Sequence, residues 1–153
     1  MWTASDRVAS QATAGEDNDC AVLALALVTG ASYPNAHAAL ADLGREPGEA
    51  TERAALRAAL EGWGFEVRRV YSANQLALLT GHHRPTTGQL ARDPEAWADL
   101  GDRLLVFPPG HVAALVDGRL EDWTEDRAAP ILEAWEVVRR GAALPEAPPV
   151  IYL

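Results

Sequence analysis

The chain has one cysteine, Cys20, and its setting is what a thiol needs to become a nucleophile. Asn18-Asp19-Cys20 is a polar entry that opens into eight apolar residues, Ala21 to Val28. Ala and Leu dominate this run and nothing breaks it before Gly30, so the pattern predicts a helix from Cys20 to Thr29, with Asp19 or Asn18 capping its free N–H groups. Being apolar on every side, that helix belongs in a core. Cys20 then occupies the first turn, where the positive end of the helix dipole and the unpaired amides stabilise a thiolate.

A candidate base for that thiol is His111. His111 follows Pro108-Pro109-Gly110 and precedes an apolar run, and Asp117-Gly118 is a strong signal for a two-residue β-hairpin turn. With those two residues at the turn, Val116 faces Arg119, Leu115 faces Leu120, Ala114 faces Glu121 and Ala113 faces Asp122. Side chains alternate along a strand, so His111, Ala113 and Leu115 share a face with Leu120, Asp122 and Thr124. Asp122 becomes the diagonal neighbour of His111, and Glu121 points to the other side. A carboxylate there holds one imidazole nitrogen, orients the ring and leaves the other nitrogen to deprotonate a thiol.

Other elements must position these groups. Met1 to Glu16 reads as an irregular arm. Ser32 caps a second helix with Pro34 in its first turn, running to about Leu43, where Gly44 ends it; Ala36, Ala39, Leu40 and Leu43 form its buried stripe. Thr51 caps a third helix, Glu52 to Trp63, with Ala55, Leu56, Ala59, Leu60 and Trp63 on one face. Phe65 to Tyr71 alternates as a strand as far as Arg69. Ser72 and Gln75 form a capping-box pattern for a short helix, Ala73 to Leu79. Gly81 to Pro85 is loop, Thr86 or Thr87 opens another helical turn, and Asp93-Pro94 starts a helix over 95–100. Strands follow at 103–107, 111–116, 119–124 and 133–138, with an edge strand expected at 150–153 beyond a connecting loop at 141–149. Helices first and a sheet afterwards predict a single α+β domain over 1–153.

Composition narrows the function classes. The 153 residues are 48% hydrophobic, enough for a real core. All 13 basic residues are Arg against 22 acidic ones, and the resulting net charge of −9 argues against nucleic-acid partners and anionic membrane surfaces. No secretory pattern is seen in 1–15, and no apolar run is long enough to span a bilayer. One cysteine makes no internal disulfide, so a cytoplasmic location is expected. His82-His83 and His37 lack metal-ligand spacing, and no metal or cofactor is expected. Trp63, Trp97, Trp123 and Trp135 read as core or groove wall.

A helix N-terminal Cys preceded by Asp, a His opening a strand and an acid on the next strand together resemble the papain-like cysteine hydrolase superfamily, in the order Cys, His, Asp. Asp19-Cys20 is similar to the Asp-Cys entry of NlpC/P60 proteins. Gly110-His111-Val112 before a hairpin is similar to both those and the C39-type peptidases, including small phage and bacterial members. The resemblance covers residues 18–123. It implies a papain-like fold, a core helix packed on an antiparallel sheet, with Cys20 as nucleophile, His111 as general base and Asp122 as orienting group. Papain and C39 relatives carry Gln six residues before the nucleophile, where this chain has Ala14; Asn18 stands in as an amide donor to the oxyanion hole, beside the backbone N–H of Cys20. NlpC/P60 proteins continue with Ser-Gly where this chain has Ala21-Val22.

Two classes of function follow. One is a cysteine peptidase or amide hydrolase acting through an acyl-enzyme on a protein or peptide substrate, with peptidase, isopeptidase, deamidase and acyl-transfer outcomes all open. The other is a non-catalytic interaction module on the same scaffold, such as a phage or host-interaction factor, in which Cys20 is only packing. A third use of Cys20, His111 and Asp122, as zinc ligands, suits their chemistry but ranks below both.

Overall fold

The computed structural model describes residues 20–45, 52–121 and 129–140. Among these residues the chain is α+β, with five α-helices, one 3₁₀ helix and a five-stranded antiparallel sheet. It divides into two compact units, Met1–Glu66 with Arg139–Leu153, and Val67–Val138. The N-terminal arm, the Thr51 cap, the end of the hairpin at 122–124, the loop at 141–149 and the edge expected at 150–153 lie outside the described residues.

The first unit is built on three helices. Helix α1 spans Cys20–Thr29, and every residue from Ala21 to Thr29 is buried, as an apolar run without a polar face requires. It ends as its sequence dictates. The Thr29 hydroxyl donates to the Leu25 carbonyl at 2.7 Å and accepts the Ala31 N–H at 3.2 Å, while Gly30 takes the left-handed conformation at φ 84°. Helix α2, Tyr33–Asp42, starts on Ser32, whose Oγ accepts the Asn35 N–H at 3.2 Å. It buries Tyr33, Ala36 and Leu40. Leu43, expected on that stripe, is instead 45% exposed. It is the C-cap, at φ −94° and ψ 9°, so its side chain leaves the helical period. Helix α3, Arg53–Gly62, buries Leu56, Ala59 and Leu60; its N-cap, Glu52, makes no side-chain capping bond. The three helices pack on one another.

The sheet has the order β1-β5-β2-β3-β4, formed by β1 (Phe65–Ser72), β2 (Arg103–Phe107), β3 (Ala113–Val116), β4 (Arg119–Glu121) and β5 (Glu133–Arg139). In the second unit, β2 pairs with β3 through Leu104↔Leu115 and Val106↔Ala113, and with β5 through Leu104↔Glu136 and Val106↔Ala134. These pairings set Leu104, Val106, Ala113, Leu115 and Ala134 on one face. Leu76, Leu90, Trp97 and Leu100 cover them and complete a buried cluster. Those four belong to helix α4 (Ala73–Thr80), helix α5 (Thr87–Arg92) and a 3₁₀ helix, Pro94–Leu100.

Both α4 and α5 begin with full capping boxes. Ser72 and Gln75 exchange side-chain and backbone bonds at 3.2 and 2.8 Å, and Thr86 and Gln89 do so at 3.1 Å each. Asp93 is the N-cap of the 3₁₀ helix, with Pro94 in its first turn, but its side chain makes no capping bond: its backbone is at φ −135° and ψ 62°, and its Oδ2 lies 3.4 Å from His82 Nε2. Strand β1 departs from the expected alternation. Phe65 and Tyr71 are buried, while Arg68, Arg69 and Val70 between them are exposed, as an edge position in the sheet permits.

Candidate active site

Cys20 is the first residue of α1, with no acidic residue in the first turn to oppose a thiolate. The first amides of a helix have no acceptor within it, so they aim partial positive charge at whatever occupies the first turn. Cys20 is also the one residue of α1 that is not buried. A thiol at this position combines access with electrostatic stabilisation of its anion.

The hairpin forms with the register that its turn dictates: Val116↔Arg119, Leu115↔Leu120 and Ala114↔Glu121. Asp117 and Gly118 take φ 51° and 79°, the two positive values that a two-residue hairpin of this hand requires. Strand β3, however, begins at Ala113, not at His111. Gly110 at φ 65° turns the chain after Pro108-Pro109, and the His111 N–H donates to the Pro108 carbonyl at 3.2 Å. That bond spends the amide in a turn, so His111 precedes the ladder by two residues and is partly exposed. The side of the hairpin expected to carry His111 and Asp122 is the side on which Ala113 and Leu115 are buried and Leu120 packs against the same cluster.

Of the four expected site residues, Cys20 belongs to the first unit and His111 to the second. Asn18 and Asp122 lie outside the described residues. Among the described residues no three His, Cys, Asp or Glu side chains gather as metal ligands would. Trp97 and Trp135 are buried and Trp63 is partly buried, as core or wall residues should be; Trp123 lies outside the described residues. No helix among the described residues is long and apolar enough to cross a membrane.

One ionisable group of consequence is invisible to motif reading. Glu136, on β5, has a side chain only 4% exposed, and it is held by the Arg68 guanidinium, with Nε donating at 3.1 Å and Nη2 bonding the second oxygen. Arg69 Nε adds a contact at 3.7 Å. Buried carboxylates persist when paired and hydrogen-bonded in this way. The partners are 68 residues apart in sequence, and the only hint is an acid inside the apolar run Ala134 to Val138.

No family model matches the chain, and neither does any curated protein or solved structure.

Proposed function

We propose that this chain is a papain-like cysteine hydrolase that cleaves a peptide, isopeptide or side-chain amide bond. The observation that carries the reading is the position of Cys20: a partly exposed thiol opening a ten-residue helix whose other nine residues are all buried. Such a helix is a rigid mount, and its N-terminal amides favour the thiolate. The turn that presents His111 just before the hairpin supports the second role, general base.

In this reading His111 takes the thiol proton, and Cys20 Sγ attacks the substrate carbonyl carbon. The oxyanion is received by the Cys20 N–H and the Asn18 amide. As the C–N bond breaks, the imidazolium returns its proton to the leaving amine, and a thioester remains on Cys20. Water, deprotonated by His111, then attacks the thioester to release a carboxylic acid and restore the thiol. Asp122 orients the imidazole throughout.

The test is an electrophilic thiol-directed probe applied to the wild-type chain and to Cys20→Ser. Rapid single-site labelling, followed by hydrolysis of an amide substrate that Cys20→Ser does not turn over, supports the reading. Sluggish labelling only after unfolding would assign Cys20 to packing and the chain to the interaction modules.

A further inference from the structure

The second unit contains a groove of about 440 Å³, within the range of small-molecule sites. Its apolar wall is Pro85, Ile131 and Leu132, with Pro85 and Ile131 buried and Leu132 45% exposed. Its polar lining comes from Asn74, His83 and Arg84. The walls are already fixed: the Ile131 N–H donates to the Pro85 carbonyl at 2.8 Å, the Leu132 N–H to Phe107 at 3.0 Å and the Thr87 N–H to Ala129 at 3.4 Å. Two prolines add stiffness, so little ordering remains to be done on binding.

The charge of the lining narrows the occupant. The chain carries 22 acidic residues against 13 basic ones, yet no carboxylate among the described residues engages Arg84 or His83. The neighbouring His82 is turned to Asp93 instead. An unengaged guanidinium beside an imidazole, set against an apolar wall and next to a primary amide, is complementary to a planar anion on an apolar body. We infer that this groove binds a small monocarboxylate with a compact apolar group, its carboxylate on Arg84 and its body against Pro85, Ile131 and Leu132. The inference concerns the second unit alone and stands or falls independently of Cys20.

Phenylacetate is a suitable probe for the full-length chain, with binding followed by calorimetry and by saturation-transfer NMR. Phenylacetamide has the same shape without the charge. The expected result is millimolar or tighter binding of phenylacetate, weakened about tenfold for phenylacetamide and about tenfold by Arg84→Gln, since charge-assisted hydrogen bonds are the stronger ones. Leu132→Asp, at an exposed position, puts a negative charge on the wall that receives the apolar body, repels the anion and should weaken binding at least as much. Absence of phenylacetate binding at millimolar concentration, equal binding of the amide, or unchanged affinity in Arg84→Gln would each overturn the proposal.

Discussion

Gly101 sits where a side chain would be penalised twice, and the two penalties can be separated. Its backbone lies at φ 150° and ψ 160°, a region kept almost entirely to glycine, and a Cβ there would fall 2.7 Å from Glu136 Cγ and 3.0 Å from Glu136 Oε2. The backbone strain alone costs about 1–3 kcal/mol. Forcing Glu136 aside adds about 1–3 kcal/mol, because its side chain is buried and held by Arg68. Gly101→Ala should therefore destabilise by about 2–6 kcal/mol. Gly118→Ala is the control: it too has positive φ, 79°, but nothing lies within 4 Å of its Cβ position, so only the strain remains. Urea unfolding followed by the fluorescence of buried Trp97 and Trp135 reads both variants in the second unit. With a slope of about 1–3 kcal/mol per molar, the Gly101→Ala midpoint should fall by about 1 M or more. Glu136→Ala removes the atoms in the way, so Gly101→Ala should cost about 1–3 kcal/mol less in that background. Equal costs for Gly101→Ala and Gly118→Ala, with no coupling to Glu136, would refute the steric reasoning.

Other consequences follow from packing and capping. Leu25, fully buried in α1, should cost about 2–5 kcal/mol when changed to Ala, measured by chemical denaturation. Thr86→Ala removes the capping bond to the Gln89 N–H and should cost about 1 kcal/mol by the same measurement, while an unchanged midpoint would show that the box contributes nothing.

What could be read in the sequence was what local chemistry decides. The limits of α1 follow from an apolar run closed by Thr29-Gly30, the start of α4 from Ser72 with Gln75 three residues on, the start of α5 from a threonine at 86 or 87, and the hairpin register from Asp117-Gly118. The failures come where tertiary context or turn geometry wins. Leu43 fits the helical period of α2 yet falls on the cap, and β1 loses its alternation because its exposed arginines reach for a carboxylate on β5. Alternation extended back from Val116 runs into His111, but the His111 amide closes the preceding turn and β3 begins only at Ala113. The strand pairing of Leu120 and Glu121 was legible; the start of β3 at Ala113 was not, because the turn that takes the His111 amide is set by Gly110 and not by strand alternation.

The claim most in need of measurement is that His111 governs the chemistry of Cys20. The rate of Cys20 alkylation by iodoacetamide, followed against pH in the wild-type chain and in His111→Ala, tests it directly. Alkylation should be fast and persist below the pH at which an ordinary thiol is protonated, and it should slow about tenfold or more near neutrality in His111→Ala. Superimposable pH profiles for the two proteins would contradict it.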